Sequence, residues 1–252
     1  MKILTGTLSQ LKQQVDIRRT AVAQNTDVQT IVQAIIAKVR AEGDSALRTY
    51  SNKLDHVTVN DFQVDQALID AAPAQLPSKL LKALQLAKAN ITSYHQNEIE
   101  RGFVDTPNPG IIRGQKITPL AAVGLYVPGG TAAYPSTILM TAIPAKLAGV
   151  KKIVMVTPPQ PDGLNPVVLA AANLAGVDAI YQVGGAQAIA ALAYGTESIP
   201  RVDKIMGPGN RYVAEAKKQV FGNVAIDMIA GPSEIGIIAD ESADPILSLI
   251  HI

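Results

Sequence analysis

Cysteine is absent from the 252 residues, and with it go disulfide scaffolds, thiolate metal sites and cysteine nucleophiles. Charge is scarce too: Asp, Glu, Lys and Arg make up 17% of the chain, and 22 basic against 21 acidic side chains leave a formal charge of +1. A sequence this close to neutral, with a pI near 7.9, gives no electrostatic reason to expect nucleic acid or an anionic membrane as partner. The histidines are His56, His95 and His251, without the close helical spacing of a metal-binding pair. Apolar runs are interrupted by Gly, Pro or Lys before they reach the length of a membrane span. The N-terminus turns polar directly after Met1-Lys2-Ile3-Leu4, unlike a secretory signal. The expectation is a cytoplasmic globular protein, and an apolar content of 48% fits a packed core rather than disorder.

Glycine and proline divide the chain. Residues 1–100 hold only Gly6, Gly43, Pro73 and Pro77, and all the others lie further on, so a helical first part should precede a turn-rich second part. Within Thr26–Glu42, Val28, Ile31, Val32, Ile35, Ile36 and Val39 repeat at the spacing of one buried helical face, with Asp27 as a candidate N-cap and Gly43 as the stop. A second helix is expected from Asp44. A third should follow Pro77, with Leu80, Leu84, Ala87, Ile91 and Tyr94 on its apolar stripe. Strands are expected at Ala121–Val127, Lys152–Thr157, Asp178–Val183, Val202–Met206, Val224–Met228 and Glu234–Ala239. Helices are expected between them at Thr137–Ala148, Pro166–Ala175, Ala186–Tyr194 and Asn210–Val220, the first kinked or broken at Pro144. This alternation predicts an α/β fold: a helical N-terminal region over residues 1–105, then a Rossmann-like, largely parallel βαβ domain over 106–246.

Three glycine-bearing turns share one place in this pattern, after a strand and before a helix: Pro128-Gly129-Gly130, Gly184-Gly185 and Gly207-Pro208-Gly209. In a parallel sheet they would lie at the C-terminal edge, where α/β folds bind ligands and a helix N-terminus favours an anion. Each glycine is equally readable as the residue that a tight βα turn needs. Gly207-Pro208-Gly209-Asn210-Arg211-Tyr212 begins like G-x-G-x-x-G but ends in Tyr212, and no phosphate loop of the G-x-x-x-x-G-K-[ST] type occurs. By themselves the turns indicate a nucleotide or phosphate binder. Ser233 has no partnered histidine and sits outside any G-x-S-x-G motif. Asp227 reads either as a functional carboxylate or as a strand-end cap on backbone donors.

Taken together, four stretches resemble the histidinol dehydrogenase family. They are Gly124-Leu125-Tyr126-Val127-Pro128-Gly129-Gly130; Gly184-Gly185-Ala186-Gln187 with its alanine-rich continuation to Ala193; Asp203-Lys204-Ile205-Met206-Gly207-Pro208-Gly209-Asn210; and Ile226-Asp227-Met228-Ile229-Ala230-Gly231-Pro232-Ser233-Glu234. The resemblance runs to about Pro245. It implies oxidation of L-histidinol to L-histidine through an aldehyde, the last step of histidine biosynthesis, with NAD as oxidant, in a cytoplasmic homodimer. By the same resemblance Tyr126, Gln187 and Asn210 contact NAD, and Ser233 contacts the substrate.

The resemblance also implies a bound Zn²⁺ and a Glu-His pair for proton transfer. In the family the first metal ligands lie in a Leu-Leu-Ser-Gln-Ala-Glu-His segment, which in this numbering would fall just past Ile252. No metal ligand or catalytic residue is therefore assigned in this sequence, and His251 is out of register for the role. Leu247-Ser248-Leu249-Ile250-His251-Ile252 reads as one translation of a transposon-end sequencing adapter, so residues 247–252 are expected to be a non-native tail on an N-terminal fragment that is inactive alone. The alternative is a non-catalytic nucleotide-binding module derived from the same family.

Overall fold

The computed structural model describes residues 5–14, 17–129, 133–229 and 240–243. The chain divides into two units, one made of the residues up to Asp27 and from Ala230 onward, the other of Val28–Ile229. The first contains α1 (Leu8–Gln14), opened by Thr7, whose carbonyl accepts the Leu11 N–H at 2.9 Å. It also contains the start of α2 (Ile17–Glu42). The helix expected from Asp27 thus begins at Ile17, and Asp27 lies inside it rather than capping it.

The larger unit is built on a parallel five-stranded sheet. Its strands are β3 (Ala122–Tyr126), β4 (Lys152–Thr157), β5 (Ala179–Gln182), β6 (Lys204–Met206) and β7 (Ala225–Ile226), in the order β5-β4-β3-β6-β7. The chain steps outward from β3 to β5, then returns to the other side of β3 for β6 and β7. That reversal makes the C-terminal ends of β3 and β6 the switch point at which open α/β sheets bind ligands.

The connections α6 (Pro135–Leu147) and α7 (Pro166–Ala175) pack on one face of the sheet; α8 (Gly185–Tyr194) and α9 (Arg211–Val220) pack on the other, as right-handed crossovers require. Central strands covered on both sides need apolar side chains at every position. Ile153, Val154, Met155 and Val156 of β4 are all fully buried.

The N-terminal helices extend both layers. From α2, Val28, Val32, Ile35, Ile36 and Val39 join the α8/α9 face, together with Ala46 and Leu47 of α3 (Asp44–Tyr50). Ile31, expected on the same stripe, is 46% exposed. After α3 the chain makes a π-helical turn at Ser51–Asp55 and a left-handed residue at His56 (φ 56°). Phe62 and Val64 then bond to the outer edge of β5, through Gln182 N–H to the Phe62 carbonyl and Val64 N–H to the Ile180 carbonyl. This covers an edge that would otherwise be open to pairing. The chain thereby reaches the opposite face, where α4 (Gln66–Ala71, capped by Asp65) and α5 (Ser78–His95) pack on α6 and α7.

Two further expectations are corrected. Helix α6 runs through Pro144 to Leu147 without ending; so late in the helix the missing N–H costs one bond, and the would-be acceptor belongs to the exposed Met140. Tyr94 leaves the α5 stripe: it lies in the last turn, 66% exposed, edge-on to His95. A hairpin of β1 (Phe103–Asn108) and β2 (Ile111–Gln115) was not anticipated, although Asn108-Pro109-Gly110 places Pro and Gly where a tight turn uses them, with Gly110 at φ 82°. Every residue of both its strands is exposed. The expected strand Glu234–Ala239 lies outside the described residues. Among the described residues no helix is long and apolar enough to cross a membrane.

Candidate functional site

The loops leaving β3, β4, β5 and β6 converge at the switch point on a cavity of about 830 Å³. Tyr126 and Gly129 reach it from the first loop, Pro158 to Asp162 from the second, Gly185 to Gln187 from the third, and Asn210 and Tyr212 from the fourth. Ile31 and Ile35 of α2 and Leu54 and Asp55 of the π-helical turn complete the wall. The volume falls in the range of ligand and cofactor clefts. The three residues Tyr126, Gln187 and Asn210 thus come from three separate strand–helix turns into one space.

Each is held differently. Tyr126 ends β3 with its ring buried, and its hydroxyl accepts the Gly185 N–H at 3.1 Å, tying the first turn to the third. Burial pushes its phenol above the usual tyrosine range; the Gly185 N–H pulls it back down and the Asp55 charge pushes it up further. Gln187 lies in the first turn of α8, 1% exposed, and its Oε1 has no hydrogen-bond partner among the described residues. Asn210 caps α9, with Oδ1 accepting from the N–H groups of Tyr212 at 3.0 Å and Val213 at 3.1 Å. Its carboxamide oxygen is therefore engaged by the cap.

The glycines have reasons inside the fold. Gly207 has φ 120°, and a Cβ there would lie 2.1 Å from the Tyr126 carbonyl oxygen, so only glycine lets the β6–α9 turn pass so close to β3. Gly185 has φ 65°, and a Cβ would fall 2.6 Å from the Gln187 Oε1; a side chain there would displace the carboxamide. Gly130 lies outside the described residues.

Asp227 resolves as a cap on backbone donors. Its carboxylate accepts the N–H of Gly207 at 2.9 Å and of Met228 at 2.7 Å, and it pairs with Lys217. The buried Lys217 also donates to the Gly207 carbonyl at 3.0 Å. Lys217 was overlooked in the sequence, yet a signal existed: with Val213, Ala216 and Val220 it sits on the apolar face of α9, where a lysine needs a partner.

Asp55 was overlooked as well. Its Oδ2 is buried without a partner among the described residues, and burial pushes its carboxyl up to about 6 against the opposing pull of His56. Nothing in its local spacing marks it, because the π-helical turn that presents it has no sequence signature of its own. The Pro158-Pro159-Gln160-Pro161-Asp162 loop follows a correctly expected strand and could have been assigned to the ligand edge from that position alone.

Ser233 and His251 lie outside the described residues. His56 is exposed, His95 at the end of α5 pairs with Glu98 in the turn that follows, and neither lines the cavity. Among the described residues no three His, Cys, Asp or Glu side chains converge, so this donor set does not fit a zinc ion. Two buried oxygens without donors do fit a ligand that brings hydrogen-bond donors of its own.

The family model described as histidinol dehydrogenase matches residues 18–249. The histidinol dehydrogenase of Lactiplantibacillus plantarum is 62% identical over 247 residues, covering 97% of this chain and 57% of that protein. That of Streptococcus mutans is 55% identical over 251 residues, covering 98% and 58% respectively. The crystal structure of histidinol dehydrogenase from Elizabethkingia anophelis superposes with a TM-score of 0.79 at 42% identity, over 86% of this chain and 51% of that one. The chain therefore spans little more than half the length of the relatives it matches.

Proposed function

This chain belongs to the histidinol dehydrogenase family, and from that premise we propose that it supplies the NAD-binding part of an enzyme that oxidises L-histidinol to L-histidine. The observation that carries the reading is the single cavity at the switch point that gathers Tyr126, Gln187 and Asn210 from three βα turns. In this reading Gln187 offers its open carboxamide to the dinucleotide, Tyr126 lends an apolar ring and fixes the Gly185 turn, and Asn210 holds the start of α9 beside it. Bound NAD would supply the hydride acceptor. The assembly is a cytoplasmic homodimer, and Ser233 contacts the substrate.

Taking a hydride from an alcohol also requires a base for the hydroxyl proton. Among the described residues, neither His56 nor His95 lines the cavity. In this reading the 252-residue chain is a binder without turnover. Calorimetric titration with NAD⁺ should show saturable binding, weakened about tenfold in Gln187→Ala, the scale of one lost hydrogen bond to a buried group. Mixing the chain with L-histidinol, NAD⁺ and Zn²⁺ should give no NADH absorbance. Failure to bind NAD⁺ would refute the cofactor assignment, and NADH above background would refute the lack of turnover.

A further inference from the structure

Two other carboxylates among the described residues, the buried Asp44 and the part-exposed Asp227, have their partners. Asp44 takes the hydroxyl and N–H of Ser198, and these bonds, with Thr196 and Arg48, outweigh the burial that would otherwise raise it. Asp227 takes two backbone N–H groups and Lys217. Asp55 alone among these three keeps a buried oxygen without a donor among the described residues, and it does so on the wall of the cavity. It is also presented by a π-helical turn closed by a left-handed non-glycine residue, His56. Such turns carry backbone cost and cluster at ligand sites. A polar group that lowers the stability of the empty fold is retained for what it does when a ligand is present.

A dinucleotide carries phosphates, which a carboxylate repels, and hydroxyl and amino donors, which it accepts. Vicinal ribose hydroxyls suit it best, since a charged acceptor makes the shorter and stronger O–H···O⁻ bond. Resting on the dinucleotide reading above, we propose that Asp55 is a cofactor-binding residue that accepts a ribose hydroxyl of the bound dinucleotide, with the open Gln187 oxygen as a second acceptor in the same cavity. The rival carboxylate, Asp162, is exposed in the β4–α7 loop, where solvent already satisfies it.

The test titrates the full 252-residue chain and its Asp55→Asn, Asp55→Ala and Asp162→Asn variants with NAD⁺, AMP and nicotinamide mononucleotide, with melting curves to confirm folding. Asp55→Ala should weaken NAD⁺ binding tenfold or more, Asp55→Asn threefold to tenfold because one neutral acceptor remains, and Asp162→Asn less than twofold. A penalty shared by AMP assigns the adenosine ribose; one shared by nicotinamide mononucleotide assigns the other ribose. The proposal is overturned if folded Asp55→Ala binds NAD⁺ within twofold of the unsubstituted chain, if the loss falls on Asp162→Asn instead, or if it appears with NAD⁺ but with neither half. Should Asp55→Ala not fold, the near-isosteric Asp55→Asn decides by the same criteria. An unsubstituted chain that does not bind NAD⁺ refutes the dinucleotide reading itself, and this proposal with it; binding that is insensitive to Asp55 refutes only the proposal.

Discussion

At the β6–α9 turn, Asp227 receives the N–H groups of Gly207 and Met228 and the ammonium of Lys217. On the cavity wall, in the π-helical turn after α3, Asp55 keeps a buried oxygen that no donor among the described residues reaches. The two regions show that a place beside the strand ends does not by itself define a functional carboxylate. Asp227 is wired to hold a glycine turn in place, so its charge is used up by the fold. Asp55 has surplus capacity, and that surplus distinguishes a group available to a ligand from one committed to architecture.

The sharpest way to break this contrast is to remove the partner at the satisfied end. Asp227→Ala leaves the Lys217 ammonium, only 6% exposed, with the Gly207 carbonyl as its remaining acceptor. Stranding a buried charge costs about 3–5 kcal/mol, readable as a lowered urea midpoint. Asp227→Ala with Lys217→Met removes both charges and should recover most of that loss, because no buried ammonium is then left without its counter-charge. If the double variant is no more stable than Asp227→Ala, the pair is not the unit described here. A smaller effect is expected at the glycine the pair secures. Gly207→Ala drives a Cβ to 2.1 Å from the Tyr126 carbonyl oxygen at φ 120° and should cost about 2 kcal/mol or more. Since Tyr126 must shift to make room, NAD⁺ affinity should fall with stability in this variant. A stable Gly207→Ala with unchanged binding would mean that the two turns are not mechanically joined.

How far the sequence revealed this arrangement depended on what kind of physics was involved. The sheet was legible because buried parallel strands are short continuous apolar runs: Lys152–Thr157 and Pro166–Ala175 match the structure end to end. Placing Tyr126, Gln187 and Asn210 at the C-terminal ends of parallel strands was enough to bring them to one edge. What escaped depends on contacts distant in sequence. The lack of a partner for Asp55 is a statement about every group around it, and no local pattern encodes that. Ile31 fits the apolar stripe of α2 yet faces the cavity, because the helix wall ends where the β-strand loops begin. The β1–β2 hairpin eluded periodicity for the opposite reason: with both faces exposed, Phe103–Asn108 and Ile111–Gln115 have no buried side to impose alternation.

The smallest expected effect is also the most direct measure of the open end. Burial lifts the Asp55 carboxyl from the usual 3.8 to about 6, with His56 pulling it down and Tyr126 as its neighbour in the wall. A group whose folded value is raised binds its proton more tightly in the folded chain, so folding loses stability as pH climbs from about 4 through about 6 and the cost is then fully present. Asp55→Asn carries no such charge. The variant and the unsubstituted chain should therefore melt together near pH 4, and the variant should melt higher at pH 7.5. Solvent screening of a partly exposed group holds the gain to about 1 kcal/mol, or about 2–4 °C for a chain of this size. The same gap should close when saturating NAD⁺ supplies the missing donor, because the ligand then stabilises the charged form that only the unsubstituted chain possesses. Melting curves that stay parallel from pH 4 to 7.5 would show that Asp55 bears no cost in the empty cavity, and the two ends of the cavity would then differ in geometry but not in energy.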